Sequence, residues 1–244
     1  MTVHRPAGAA APSGQLALGV AFNAARRMDN FVPGPNAGCV AALLAIVAGA
    51  SGGHAYLAGP QGSGKTHLLQ ASCAMAAADG ARVAYVPVAD RRGLDAAVLA
   101  GMDSAVLVCV DDVDQAAGDG RWERALFNLY NEVDAGGARM VFAGRQGPAV
   151  LALADLRSRL GAALMLQLIA PDDALRRQVL RQRARDLGFE LGDDVLGYLL
   201  SRQPRGLGHL TALVEDLDRY ALAAQRRVTV ALVREFLDAS GRPG

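Results

Sequence analysis

The chain has 244 residues, of which 52% are hydrophobic and 20% charged, which excludes a disordered polypeptide. Its longest apolar stretch, residues 39–50, is too short to cross a bilayer, and the first 14 residues lack the apolar block of a secretory signal. With 25 basic against 24 acidic side chains, it shows none of the basic excess usual in a domain that reads duplex DNA directly, and Cys39, Cys73 and Cys109 form neither a metal spacing nor an even disulfide set. The expectation is a cytoplasmic protein without a membrane partner.

Residues 1–23 read as a flexible tail, rich in Ala, Gly and Pro. After Gly34, Pro35 and Asn36 an apolar, Ala-rich segment without a breaker predicts a helix. Short apolar runs follow at 55–58, 82–88, 105–110, 139–143 and 163–168, with helical candidates between them at 67–79, 93–100 and 122–133. The run from Val106 to Val110 is apolar at every position, as in a central parallel strand covered on both faces. This alternation predicts an α/β fold, a five-stranded parallel sheet flanked by helices. From Pro171 onward strand-like runs cease. Helical stretches open at Asp172 and Asp173, at Asp193 or Asp194, after Gly206 or Gly208, and at Thr229 as N-cap. The expected division is a tail over 1–23, a nucleotide-binding α/β domain over 24–169 and a small helical lid over 170–244.

Between the first strand and the next helix stand Gly59, Pro60, Gln61, Gly62, Ser63, Gly64, Lys65 and Thr66, a complete G-x-x-x-x-G-K-T P-loop. Glycines let the backbone curl its N–H groups toward phosphate oxygens, and the helix start adds partial positive charge. Lys65 is then the charge on the β and γ phosphates, Thr66 a Mg2+ ligand, and His67 a neutral residue near the phosphates. About 45 residues on, a strand ends in Asp111 and Asp112. Asp111 is the candidate Walker B carboxylate holding Mg2+ through water, and Asp112 the candidate group orienting or deprotonating the attacking water. The cofactor is ADP or ATP with Mg2+.

These motifs resemble the DnaA-related AAA+ family, and within it the Hda branch, the regulatory inactivators of DnaA. The likeness runs from Gln15 to about Leu237. It is carried by Asp29 to Gly34, Tyr85-Val86-Pro87, Leu107 to Asp112, Ala117-Gly118-Asp119, Asp155 to Leu160 and Leu187 to Leu191. Trp122-Glu123 with Leu129-Tyr130-Asn131 favours the Hda branch. The resemblance implies that Gln15, Leu16 and Leu18 dock on the DNA polymerase sliding clamp (its β subunit), although Gly19 stands where a larger apolar anchor is expected. It also implies that Arg159 is an arginine finger acting on a partner's nucleotide. The alternative for Arg159 is a surface arginine in a neighbourhood that includes Arg157.

Where the family has a polar sensor this chain has Arg145, and the lid's nucleotide-sensing arginine falls on Gly208. Arg205, one helical turn away, either reaches the site instead or is a solvated charge. With Asp112 in place of the usual Glu, the expectation is firm nucleotide binding, weak turnover and a nucleotide-set angle between α/β unit and lid. The function implied is a regulator that links DnaA to the clamp and stimulates hydrolysis of DnaA-bound ATP, preventing re-initiation of replication. Such a regulator meets DNA only through the clamp and leaves room for a homo-oligomer. The alternatives are a stand-alone AAA+ ATPase or helicase loader, and an initiator-like DNA-binding module. The charge balance and the stop at Gly244 weigh against the last.

Overall fold

The computed structural model describes residues 26–78, 80–91, 95–102 and 104–241. In the first part, α1 (Ala37–Val47), β1 (Ala55–Ala58), α2 (Lys65–Ala78), β2 (Val83–Pro87) and β3 (Leu107–Asp111) follow one another. Then come α3 (Gly120–Ala135), β4 (Arg139–Gly144), α4 (Ala154–Gly161) and β5 (Leu164–Gln167). The strands form one five-stranded sheet in the order β2-β3-β4-β1-β5, and every pairing is parallel.

Helices cover both faces, which is why β1 and β3 are buried at every position. On one face Tyr56, Val108, Val110 and Phe142 pack with Leu126 and Leu129 of α3 and Leu156 and Leu160 of α4. On the other, Leu57, Leu107, Cys109 and Val141 meet Leu43 and Ile46 of α1 and Leu68 and Leu69 of α2. The strand order has a consequence for chemistry. β4 lies between β1 and β3, so the loops leaving the carboxyl ends of these three strands converge along one rim of the sheet, the rim where doubly wound folds bind ligands.

Four further helices follow, α5 (Asp173–Leu187), α6 (Asp193–Arg202), α7 (Leu207–Ala224) and α8 (Val230–Ala239), around a separate core of Leu180, Leu196, Leu199, Leu213, Leu217 and Val233. Thr229 makes the cap read from sequence, accepting from the Leu232 N–H at 3.3 Å, and Asp172, expected as a first-turn acid, is itself the N-cap of α5, accepting from the Leu175 N–H at 2.7 Å. Just ahead of the helical unit, Asn36, only 3% exposed, donates its amide to the Ile169 carbonyl at 3.0 Å and accepts from the Ile169 N–H at 2.8 Å. No helix among the described residues is long and apolar enough to cross a membrane.

The helix expected over 93–100 is corrected. Among the described residues of that range the element is a 3-10 turn, Ala96–Leu99, because Asp95 caps it through the Ala97 N–H and Gly101 turns the chain away with φ +80°. Conversely, α4 is a helix that the sequence reading did not anticipate.

Candidate nucleotide-binding site

Beyond β1 the chain turns through the P-loop. Gly62 (φ +81°) and Gly64 (φ +98°) occupy backbone conformations closed to most side chains, and a Cβ on Gly64 would lie 2.6 Å from Phe31. Lys65 opens α2 with its side chain 6% exposed, its ammonium donating to the carbonyls of Gly59 at 2.7 Å and Pro60 at 3.0 Å. Burial lowers its pKa, while Asp112, Asp111 and Asp114 pull it back up.

A cleft of about 480 Å³ opens in front of this loop, between sheet and lid. Residues 61–67 line it, together with Asp112 from the end of β3 and Arg145 from the end of β4. The lid contributes Leu175, Leu207 and Gly208. A Cβ on Gly208 would meet nothing within 4 Å, so the position of the family's lid arginine is open space. Arg145 donates its main-chain N–H to Asp114 at 3.2 Å and turns its side chain into the cleft. His67 also lines the cleft, its Nε2 meeting the Arg27 carbonyl at 2.9 Å and its ring tilted on Phe31 at 5.3 Å. Burial lowers the His67 pKa, which keeps the imidazole neutral at pH 7.

Asp111 sits behind the cleft, 3% exposed, accepting from the Tyr85 hydroxyl at 2.8 Å and from the Asp112 N–H at 3.0 Å. Asp112 itself is in the left-handed region with φ +51°, a conformation that turns its carboxyl toward the cleft and that aspartate tolerates better than most residues. Burial first, then the charges of Asp111 and Asp114, raises the Asp112 pKa. Among the described residues no three His, Cys, Asp or Glu side chains are grouped as a protein-only metal cage would need. Mg2+ commonly takes only one or two protein ligands beside water and phosphate, and the Thr66 hydroxyl on the cleft wall and Asp111 behind it are oxygen donors of that type.

The raised Asp112 pKa has a sign that can be checked. The folded chain binds this proton more tightly than the unfolded chain does. The ionised Asp112 therefore opposes folding above its folded pKa, and this penalty fades as pH falls through that value. Asp112→Asn is expected to raise the melting temperature of nucleotide-free protein at pH 7. An unchanged or lower melting temperature in thermal denaturation would refute the electrostatic account.

Arg159 lies elsewhere. It is exposed on α4, outside the residues that line its own chain's cleft, with its guanidinium 5.6 Å from the centre of the Tyr130 ring. Tyr130 is braced edge-on by His54 at 4.8 Å, and His54 is held by the Met140 N–H on Nδ1 and by Asp134 on Nε2. The neighbouring Arg157 is tied to the Leu151 carbonyl at 2.8 Å. Arg205 does not line the cleft; its guanidinium faces Asp173 at 3.7 Å and is largely exposed. Gln15, Leu16 and Leu18 lie outside the described residues. Sequence reasoning noticed Tyr130 and Glu123 only as family markers and did not place Tyr130 beneath Arg159.

A P-loop and a β3 carboxylate pair on a five-stranded parallel sheet, followed by a helical lid, define an AAA+ module. The model of the bacterial DnaA ATPase domain matches residues 22–169, and that of the Hda lid domain matches residues 173–237. The chain belongs to the DnaA-related AAA+ family and carries an Hda-type lid. Domain III of the Thermotoga maritima replication initiation protein DnaA shares its fold with TM-score 0.75 and 23% identity, over 90% of this chain and 98% of that one. AMPPCP-bound DnaA from Aquifex aeolicus gives 0.64 and 22%, over 80% of this chain and 66% of that one. The Thermotoga maritima RuvB Holliday junction branch migration motor gives 0.64 and 16%, over 88% and 72%.

Proposed function

We propose that the chain is a nucleotide-bound regulator of replication initiation that links DnaA to the sliding clamp and stimulates hydrolysis of DnaA-bound ATP, preventing re-initiation. The observation that carries this reading is the place of Arg159, exposed on a braced helix outside its own cleft. An arginine so placed has no phosphate to serve in its own chain. It fits a finger that enters a neighbour's site and stabilises charge in phosphoryl transfer.

In the chain's own cleft the P-loop N–H groups and Lys65 hold ADP or ATP, with Thr66 and Asp111 toward Mg2+. The metal ion supplies neutralisation of phosphate charge when bound. Asp112 orients water across a shorter arm than glutamate would, and the lid offers no arginine at Gly208, so own-site turnover is weak. The tail over 1–23 serves the clamp, the domain over 24–169 binds nucleotide, and the lid over 170–244 closes on it. DNA is met through the clamp, in the cytoplasm.

The test of the whole reading is ATP-loaded DnaA with clamp on DNA, to which the chain is added. Faster release of phosphate is expected, and no change in rate refutes the proposal. The clamp contact is tested separately by pull-down, in which changing Gln15 and Leu16 together to alanine is expected to reduce retention about tenfold or more, as for anchor residues of a small interface. Undiminished retention in that variant would place the clamp contact elsewhere.

A further inference from the structure

The start of α4 is held from a distance. Its N-cap position is Leu153, whose side chain cannot accept a hydrogen bond, and no side-chain cap is made locally. Glu123 of α3 instead holds the N–H groups of Ala152 and Leu153, the two residues that lead into the helix. This side chain is 1% exposed, and its carboxylate accepts from Ala152 at 3.0 Å, from Leu153, and from Gly118 at 2.9 Å. Gly118 belongs to the loop that follows the Walker B strand, after the 3-10 turn Val113–Ala116. One carboxylate thus joins three segments: that loop, α3, and the start of the helix bearing Arg159.

Burial of a carboxyl in an interior needs such compensation. Among the described residues Glu123 has no basic partner; its recorded bonds are all to main-chain N–H groups. A residue needed only to fill this space could have been leucine or methionine, but neither could accept these bonds. Leu156 and Leu160 anchor the buried face of α4, and Tyr130 sits under Arg159. The packing thus fixes the height of the helix on α3, and Glu123 fixes where it begins.

We infer that Glu123 is a positioning residue for the finger: by holding the N–H groups of Ala152 and Leu153 it sets where α4 starts and so where Arg159 stands. The inference rests on the proposed action of Arg159 on DnaA. It adds a route by which the Walker B loop, through Gly118, is mechanically joined to the finger of the same chain.

The test uses the full chain with Glu123→Gln, which keeps size but turns an NH2 group toward one of the three donors. Amide hydrogen exchange over residues 152–161 and clamp-dependent turnover of DnaA-bound ATP are measured in parallel with wild type. Exchange over 152–161 is expected to quicken, and maximal turnover to fall about ten- to a hundredfold, the scale of a finger misplaced by about 1 Å. The concentration giving half-maximal stimulation and the chain's own ADP affinity should change less than about threefold, because neither interface nor cleft is altered. Should that variant fail to fold, Leu153→Pro removes one of the same bonds from the other end, at a residue whose φ of −71° suits proline. Unchanged exchange over 152–161 overturns the inference, as does lost turnover with unchanged exchange or an effect confined to the half-maximal concentration. A wild type that leaves DnaA turnover unchanged overturns the function proposed above and this inference together, whereas a stimulating wild type with an indifferent Glu123→Gln overturns this inference alone.

Discussion

Arg159→Ala is expected to lower the clamp-dependent hydrolysis of DnaA-bound ATP by about 10³-fold, toward the rate of DnaA alone, since arginine fingers contribute on this scale to phosphoryl transfer. The side chain is exposed and lies over the Tyr130 ring, so its removal should leave the fold intact. An exposed cation–π contact is worth about 0.5–1 kcal/mol, which bounds the loss of stability. The chain's own nucleotide affinity should not move, because Arg159 is outside its cleft. Arg159→Lys should rescue little, since a single ammonium cannot reproduce the fork of the guanidinium on phosphoryl oxygens. The assay is single-turnover hydrolysis of ATP preloaded on DnaA, with phosphate release followed in time. Equal rates with wild type and Arg159→Ala would remove the finger from this side chain.

The second large effect belongs to the chain's own site. Lys65→Ala should weaken ADP and ATP binding by about 100-fold or more, given that a lysine–phosphate contact in a partly dry cleft is a charge-assisted interaction. The carbonyls of Gly59 and Pro60 that now accept from Lys65 would also lose a donor inside the loop. The consequence is visible without any activity assay. A ligand at 100 times its Kd stabilises the folded state by about 2.7 kcal/mol, so wild type should melt higher with Mg2+-ADP, and the variant at the same concentration should gain almost nothing. A variant that still gains the full wild-type shift would mean that nucleotide is held elsewhere than at the P-loop. With both variants in hand, the two roles separate: Lys65 governs what the chain binds, and Arg159 what it does to another molecule.

The parts of the fold that were legible in sequence are those whose cause is local. β3 announces itself because a strand buried on both faces must be apolar throughout, and its residues 107–110 are. The P-loop is legible because its glycines, lysine and threonine must be consecutive to wrap a phosphate. Thr229 is legible as a cap because it bonds a main-chain N–H three residues on.

What was missed has distant causes. α4 carries Leu156 and Leu160 at helical spacing, but the chain leading into it is held by a side chain 30 residues away from Leu153, in Glu123, and no local pattern predicts that. The turn at 96–99 has the small apolar residues of a helix, and it stops because Gly101 takes a positive φ. Arg205 could be read equally as site or surface residue from its spacing alone. It stands in the loop between α6 and α7, and its partner Asp173 opens α5, a neighbour that only the fold supplies.

The pair of hydrogen bonds between Asn36 and Ile169 constrains how the molecule can change shape. It ties the residue after β5 to the start of α1 immediately before Pro171. Asn30, on the same entry segment, donates to Asp186 of α5 at 3.3 Å, so this short stretch of chain grips both the exit from the sheet and the first lid helix. A chain that lost the Asn36 pair would still hold its lid through Asp186.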